Sequence, residues 1–315
     1  MNPLKVESFS AGIFAVDTYF QRPNMDASHL LVDNGEAAFI DVGTNHSIPY
    51  LLQALQAQGL SRESVKYVIL THIHLDHAGG AGSLMEQLPN ATLLVHPRGG
   101  RHMVSPQRLW DGALAVYGIE EMNRTYGMLL PIPKDRVREI EDGAEVRVGQ
   151  RSLQFLHTEG HAKHHFCIWD PGSRSVFTGD TFGLSYREFD SVQGPFIFPT
   201  TTPVHFDPEA MHHSVHQIAE LNPDFLYLTH FSQVPFTPRL PSLLHQQIDE
   251  YVDLALRVQD APNRQELIKE GLTHLLLGHL ETHQNPTSLK QTLEILELDI
   301  RLNAQGLDVW LNNSP

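Results

Sequence analysis

Through most of the chain, short apolar runs alternate with segments whose apolar residues recur every three or four positions. Runs of the first kind predict strands, and segments of the second kind predict helices. Strands are expected at 12–17, 29–32, 37–41, 67–71, 92–96, 137–139, 145–148, 153–157, 166–169, 175–178 and 225–228. Helices are expected at 47–58, 80–88 and 208–221, the last with Asp207 as its N-cap. This alternation predicts sheets covered by helices, with a hairpin turn at Asn34-Gly35.

After about residue 237 the pattern becomes helical throughout. Helices are expected at 241–258, 264–280 and 287–302, the last with one apolar stripe. We therefore predict a mixed domain over residues 1–237 and a C-terminal helical extension over residues 238–315. The amphipathic extension also predicts a homodimer contact or a cover over the active site.

Candidate chemistry concentrates in residues 71–80, directly after the apolar strand that ends at Leu70. Within six residues the segment holds three histidines and one aspartate, which are His72, His74, Asp76 and His77. Neutral imidazole and carboxylate are the usual protein ligands of zinc and similar divalent metals. A strand that ends in a tight loop can aim such side chains at one point, so this segment predicts a metal site.

The His-x-His-x-Asp-His motif after an apolar strand resembles the signature of the metallo-β-lactamase superfamily. That family places a further histidine, an aspartate and a last histidine at later strand ends, and this chain offers His161, Asp180 and His230 in that order. Residues 39–43 match its early strand and Asp-Gly turn. The resemblance covers residues from about 10 to about 235. It implies an α+β fold, a four-layer αββα sandwich with a C-terminal helical appendage.

The resemblance also implies a site with two divalent ions. One ion would be held by His72, His74 and His161, the other by Asp76, His77 and His230, and Asp180 would bridge both. Asp76 and Asp180 are therefore the expected catalytic carboxylates, beside a hydroxide shared by the two ions. Zinc is the expected metal, although iron and manganese also suit mixed histidine and aspartate ligands.

Several other residues are candidates for supporting roles. Asp41 and His165 are expected to orient metal ligands. The alternative for His165 is an exposed position or packing in a helix turn. The hydroxyls of Thr71 and Thr229 are expected to cap nearby backbone groups. Tyr186 and Arg187 are candidate substrate contacts.

Two segments have open roles. Residues 97–133 lack strand alternation and predict an insertion of one or two helices near the active site, which would line the substrate pocket or pack as a simple connection. The proline-rich residues 194–203 predict a rigid loop that forms a pocket wall or a structural crossover.

Among hydrolases, residues 71–80 and 178–182 most resemble hydroxyacylglutathione hydrolase, the glyoxalase II-like branch. Residues 160–164 depart from that pattern, and Gly183 stands where the related lactonases usually have a tyrosine. The expected reaction is therefore hydrolysis of a small ester, thioester or lactone. The alternatives are an iron-binding redox or sulfur dioxygenase-like protein and a phosphoesterase. His74 favours hydrolysis, because a glutamate usually occupies its position in the oxygen-reducing diiron relatives.

Composition narrows the range of partners. The chain has 315 residues, 41% of them hydrophobic and 19% charged, with a formal net charge of −15, so a sizeable core and an acidic surface are expected. An acidic surface repels phosphate backbones, so a small-molecule substrate is expected and nucleic acid is not. Neither a secretory signal nor a stretch long enough to span a membrane is recognisable, which predicts a cytoplasmic protein. The single cysteine, Cys167, cannot form an internal disulfide and is expected in the core.

Overall fold

The computed structural model describes residues 2–201 and 204–313. Contacts divide the chain into two compact units. The first comprises the residues up to His157 with 164–179 and 224–233, and the second comprises 158–163, 180–223 and the residues from Val234 onward. The domain boundary expected at residue 237 is not tested by this division and stays a prediction.

The first unit is built on two β-sheets. One sheet has seven strands in sequence order, β1 (Val6–Ser8), β2 (Ile13–Asp17), β3 (Ala27–Asp33), β4 (Glu36–Ile40), β5 (Val65–Ile69), β6 (Thr92–Val95) and β7 (Val137–Glu139). The other has six strands, β8 (Glu145–Val148), β9 (Arg151–His157), β10 (Phe166–Asp170), β11 (Ser175–Gly179), β12 (Phe225–Leu228) and β13 (Ser232–Pro235). In this sheet β12 lies between β11 and β13, and β8 forms the edge opposite β13. The expected strands are confirmed; β1 and β13 were missed because they are short and carry polar residues.

The helices follow the expected order. The first unit contains α1 (Ile48–Ala57), α2 (Leu75–Ala78), α3 (Ala81–Gln87), α4 (Pro97–Val104), α5 (Gln107–Tyr117) and α6 (Ile119–Glu121). The second unit contains α7 (Pro208–Glu220), α8 (Arg239–Arg257), α9 (Arg264–Thr282) and α10 (Leu289–Asn313). The Asp207 carboxylate accepts a hydrogen bond from the Ala210 amide at 3.1 Å, which confirms the predicted N-cap of α7. In the described part of the chain, no helix combines the length and apolar character needed to cross a membrane.

Two apolar layers hold the first unit together. Between the sheets lie buried side chains from both of them, such as Ile40 and Ile69 from one and Phe155 and Phe177 from the other. On the opposite face of the seven-stranded sheet, α1 and α3 pack through further buried residues. Burial of apolar area on this scale is the main stabilising contribution to such a fold. The predicted α+β class, with two sheets flanked by helices and further helices at the C-terminus, is confirmed.

The turn between β3 and β4 follows the local sequence. Asp33 pairs with Glu36, so only two residues form the loop. Asn34 and Gly35 both have positive φ, at 48° and 81°. Positive φ at both central residues is typical of a type I′ turn, whose twist matches that of the two flanking strands. Asparagine and glycine adopt positive φ values most readily. The predicted hairpin is therefore confirmed.

The last helix is longer than the apolar pattern predicted. It continues to Asn313, whereas the prediction ended it at Leu302. Asn303 lies just beyond that point and is completely buried although its side chain is polar. Its carboxamide oxygen accepts a hydrogen bond from the Thr201 amide at 2.7 Å inside the second unit. This long-range bond satisfies a buried polar group just beyond the predicted end of the helix.

The insertion over residues 97–133 is more divided than the one or two helices expected. It forms α4, α5, α6 and a π-helical turn over Met122–Tyr126. Gly118 separates α5 from α6 with a φ of 79°, a left-handed value that few other residues adopt cheaply. No residue of α5 is fully buried, although it carries Trp110 and Tyr117.

The proline-rich loop is packed against its own unit over the residues that the structure describes. Phe196, Ile197 and Phe198 are buried, and the Ile197 carbonyl accepts a hydrogen bond from the Gln247 carboxamide on α8 at 2.9 Å. These contacts favour the prediction of a structural crossover over that of a pocket wall. The last two residues of the predicted loop, Thr202 and Pro203, lie outside the described residues.

His29 gives the fold a predictable dependence on pH. Its side chain is fully buried between the sheets against Phe177 and Tyr227, and burial lowers its pKa to about 4 from an ordinary 6.5, despite an opposing effect of Asp41. Since the folded pKa lies below the unfolded one, stability is complete above pH 6.5 and declines as the pH falls toward 4. Between pH 7 and pH 5 we expect His29 to cost about 2 kcal/mol of unfolding free energy.

The test is urea unfolding of the wild-type protein and of His29→Leu at both pH values. The leucine cannot take up a proton, so the variant should lose about 2 kcal/mol less than the wild type over this interval. Because His96 also has a pKa lowered to about 4, chiefly by burial, only the difference between the two proteins reports on His29. Equal losses in both would contradict the assignment.

Candidate metal centre

The loop after β5 and the short helix α2 bring a histidine and aspartate cluster together in the first unit. His72 and His77 are completely buried, and the Nε2 of His72 lies 2.7 Å from the Nδ1 of His74. Asp76, His77 and His230 each offer one ligand atom, and these atoms all lie within 4.8 Å of one another. Five of the seven predicted ligands therefore converge here. His72 and His74 come from the loop, Asp76 and His77 from α2, and His230 lies two residues after the end of β12.

Asp41 holds His77 in one orientation. This buried carboxylate follows β4, and its Oδ2 lies 2.7 Å from the Nδ1 of His77. Since a carboxylate oxygen accepts hydrogen bonds, the proton of His77 is on Nδ1 and its Nε2 carries the lone pair. That nitrogen is 3.8 Å from the Asp76 carboxylate. Asp41 thus occupies the position of the orienting carboxylate that metal-ligating histidines commonly have.

The hydroxyls of Thr71 and Thr229 belong to the same network. Thr71 donates to Asp41 from its amide and from its hydroxyl, both at 2.8 Å, and the Thr229 hydroxyl donates at 2.7 Å. The prediction that these hydroxyls cap backbone groups was wrong. Local spacing suggested a backbone partner, whereas the folded chain offers a buried carboxylate whose oxygens need hydrogen-bond donors.

His230 is oriented by a different pair of groups. Its Nδ1 donates to the Met25 carbonyl at 3.0 Å and lies 3.3 Å from the Asp26 carboxylate. Its Nε2 lies 3.6 Å from Asp76. Sequence reasoning missed Asp26, a fully buried carboxylate directly before β3. An acidic residue at the start of an apolar strand was the only local signal of it.

The imidazole of His165 packs beside that of His72. It is fully buried, and the two imidazole rings have their centroids 5.1 Å apart. A Cβ atom added at Gly179 would come within 2.6 Å of both the His165 Nε2 and the Thr71 hydroxyl. Gly179, at the end of β11, therefore leaves the space that these two side chains occupy.

We expect Gly179→Ala to lower the free energy of unfolding by about 3 kcal/mol. Two effects contribute, because alanine is strained at the left-handed φ of 49° and because its Cβ would overlap these side chains. The matched control is Gly143→Ala, because Gly143 has a φ of 73° with nothing within 4 Å of an added Cβ. The control should lose only about 1 kcal/mol, the cost of the backbone conformation. Urea unfolding of the three proteins measures both values, and equal losses would show that the overlap is relieved without cost.

Two predicted ligands pair with each other in the second unit. The His161 Nε2 lies 3.4 Å from the Asp180 carboxylate, and both side chains are almost completely buried. The His161 Nδ1 donates to the Thr200 carbonyl at 3.2 Å, so its Nε2 carries the lone pair. This is the same arrangement of one anchored and one presented nitrogen found at His77 and His230.

The two candidate substrate contacts have partners of their own in the second unit. Tyr186 is fully buried and its hydroxyl donates to the Asp299 carboxylate at 3.2 Å. Arg187 donates to the Ser185 carbonyl at 2.7 Å and lies 3.4 Å from the Asp190 carboxylate. Their role toward a substrate stays a prediction.

The insertion reaches the cluster through Tyr126. Burial raises the pKa of its phenol, and Tyr117 and the Asp76 carboxylate raise it further. The ring of Tyr126 packs 5.7 Å from Tyr117 and 6.0 Å from Phe20, measured between centroids. Tyr126 is therefore a buried member of an aromatic group, near enough to Asp76 to sense its charge.

The donor set of the first unit fits a divalent metal on chemical grounds. Neutral imidazoles and a carboxylate suit zinc, iron and manganese, and the Nδ1 atoms of His77 and His230 are anchored on Asp41 and on the Met25 carbonyl. Buried ligands with anchored partners hold their geometry without a metal, which reduces the entropic cost of binding one.

Comparison with known proteins gives relatives of the same fold. The chain is 28% identical to "Metallo-beta-lactamase fold-containing protein ST1585" of Sulfurisphaera tokodaii over 212 residues, 66% of this chain and 73% of that protein. It is 25% identical to the human "Acyl-coenzyme A thioesterase MBLAC2" over 197 residues, 55% of this chain and 64% of that protein.

Solved structures are similar in the same way. The crystal structure of ST1585 superimposes with a TM-score of 0.62 at 22% identity, covering 95% of this chain and 99% of that one. A structure described as "Peroxy diiron species of chemotaxis sensor ODP" gives a TM-score of 0.53 at 14% identity, covering 77% and 94%. The family model of the metallo-beta-lactamase superfamily matches residues 23–230. Because this match spans more than half of the chain and includes every predicted ligand, the protein belongs to the metallo-beta-lactamase superfamily.

Proposed function

We propose that the protein is a dinuclear metal-dependent hydrolase of a small ester, thioester or lactone. The observation that carries the proposal is the shared orientation of His77 and His230. Each anchors its Nδ1 away from Asp76, on Asp41 or on Met25, and presents its Nε2 toward Asp76. Histidines that only cover the surface or fill the core do not require this arrangement, in which two imidazoles each have one nitrogen fixed and direct the other toward the same carboxylate.

The ligand order of the superfamily assigns the two ions. His72, His74 and His161 would hold one, Asp76, His77 and His230 the other, and Asp180 would bridge them. Bound there, two ions supply a water of lowered pKa and polarise the attacked oxygen. Zinc is the proposed metal, because all the ligands are imidazoles or carboxylates and no hydrolytic step requires a change of redox state.

An acyl thioester is the first substrate class to test. The human relative is described as an acyl-coenzyme A thioesterase, and the local motifs resemble the glyoxalase II-like branch, which also cleaves a thioester. The aromatic group of Tyr126, Tyr117 and Phe20, of which Tyr126 and Phe20 are almost completely buried, would form the apolar floor beneath an acyl group. A cytoplasmic location and a homodimer complete the proposal.

A second candidate is an iron-binding redox protein. It is favoured by the likeness to the sensor whose structure is described as a peroxy diiron species. His74 counts against it, as a glutamate is usual at that position in the oxygen-reducing relatives. A third candidate is a phosphoesterase, which would use the same ligands to attack a phosphorus centre. Only its substrate distinguishes it from the proposed carbonyl hydrolase.

The test joins metal analysis with a substrate panel. Protein purified without added metal is analysed for zinc, iron and manganese, and is then assayed on acyl thioesters, lactones, carboxylic esters and phosphoesters. About two zinc ions per chain with turnover of one carbonyl class is the expected result. Iron with oxygen consumption and no hydrolysis would overturn the proposal in favour of the redox candidate. Turnover of phosphoesters alone would replace the carbonyl substrate.

A further inference from the structure

A second cluster of histidines lies on the helices α7 and α8, within the second unit and among residues that the metal motifs do not use. Its members are His212, His216, His245 and Asp249. The cluster mixes imidazoles with one carboxylate, as the first cluster does, but it lies at the protein surface. Asp249 exposes 72% of its side chain and His216 65%, so both are accessible to an ion from solvent.

The spacing places the four side chains as two facing pairs. His212 and His216 are four residues apart on α7, and His245 and Asp249 are four residues apart on α8. Residues separated by four positions lie one above the other on the same helix face. Two histidines at this spacing are the arrangement with which a helix commonly contributes two ligands to one zinc ion.

Contacts across the helix pair show that the two faces meet. The Nδ1 atoms of His212 and His245 are 2.7 Å apart, and their rings stack with centroids 4.9 Å apart. The His212 Nε2 lies 3.1 Å from the Asp249 carboxylate. His216 is close enough to contribute to lowering the pKa of His245, an effect caused first by burial and then by His212.

The donor types in this cluster suit a cation. A hydrogen bond between two imidazole nitrogens has one donor and one acceptor, so one Nδ1 atom of the 2.7 Å contact presents its lone pair. The Asp249 carboxylate lies beside this pair, 3.1 Å from the His212 Nε2. Neutral imidazole and ionised carboxylate are the forms that bind transition metals.

We propose that His212, His216, His245 and Asp249 form a surface site for a divalent transition metal such as Zn²⁺, which ties α7 to α8. Rotation of the exposed His216 and Asp249 side chains would complete the ligand set. His216 would leave its Glu220 partner at 3.3 Å, a surface ion pair whose loss costs little. A metal bound by both helices favours the folded second unit over the unfolded chain.

The experiment measures Zn²⁺ binding to the full-length protein by equilibrium dialysis and elemental analysis. Four proteins are compared, the wild type, His212→Ala/His245→Ala, His216→Ala and the control His213→Ala. His213 is an exposed histidine on the same helix that has no place in the proposed ligand set. The double variant should bind one zinc ion fewer per chain than the wild type and the control. His216→Ala should bind the surface ion at least about tenfold more weakly, since removal of a mere supporting partner already causes such a loss.

The urea midpoint gives a second readout. Zn²⁺ should raise it more in the wild type and in His213→Ala than in the two cluster variants. Identical zinc stoichiometry and identical midpoints in all four proteins would overturn the proposal and leave the cluster as a proton-sharing pair. If the double variant does not fold, His216→Ala decides the question, because its side chain is exposed. Hydrolysis is assayed separately in each variant, so the fate of the proposed function does not affect the result.

Discussion

Replacement of Asp76 by asparagine should abolish hydrolysis while leaving the fold intact. Asp76 is the carboxylate toward which His77 and His230 present their Nε2 atoms, and its side chain is only 24% exposed. Asparagine preserves the volume but removes the negative charge that a divalent ion needs from this ligand. We expect kcat/KM to fall by about 1000-fold or more, which corresponds to about 4 kcal/mol of transition-state stabilisation. The measurement is steady-state kinetics on the substrate class that the panel identifies, with metal content determined on the same sample.

A matched control separates this effect from a change of net charge. Asp253→Asn makes the same substitution at an exposed position of α8 and should leave kcat/KM unchanged. Asp180→Asn should behave as Asp76→Asn does, because the superfamily assigns Asp180 as the bridging ligand. Wild-type turnover by either ligand variant, with circular dichroism confirming its fold, would exclude the proposed catalytic centre.

Replacement of Asp41 by asparagine should damage both stability and metal affinity. The carboxylate accepts hydrogen bonds from Thr71, His77 and Thr229 in a fully buried position. A carboxamide offers one oxygen in place of two and introduces an NH₂ group among donors, so at least one buried donor loses its partner. We expect the free energy of unfolding to fall by about 3 kcal/mol. Because His77 loses its anchor, metal affinity should also fall by about 10- to 100-fold.

The two effects are measured by urea unfolding of metal-free protein and by competition with a chelator. Thr229→Val is the matched variant, since it removes one hydrogen bond to the same carboxylate and preserves its charge. It should cost about 1 kcal/mol and leave metal affinity close to the wild-type value. If Asp41→Asn kept wild-type affinity after losing stability, Asp41 would be a structural residue without influence on the metal ligands.

Local patterning was sufficient for most of the fold and for the ligand set. The strand ends before residues 71–80 and before Thr229 are visible as apolar runs that stop at polar residues. The Asn34-Gly35 turn and the Asp207 N-cap depend on neighbours within three residues, so sequence alone predicted them. His72, His74, Asp76 and His77 lie within six consecutive residues, on the loop after β5 and on α2, so their nearness is a property of the local chain.

Only the tertiary structure decided how those ligands are held. Asp41 lies 30 residues from Thr71 and 188 from Thr229, and His230 lies 205 residues from Met25. Such partners are brought together by sheet register and by packing between the sheets, and neither has a signature in the local sequence. The same holds for Asn303 on α10, whose buried carboxamide accepts a hydrogen bond from the Thr201 amide, 102 residues away. The sequence by itself therefore determined which groups are candidate metal ligands, while the tertiary structure determined which nitrogen of His77, His161 and His230 is anchored, because most buried polar atoms need a hydrogen-bond partner and these partners are distant in sequence.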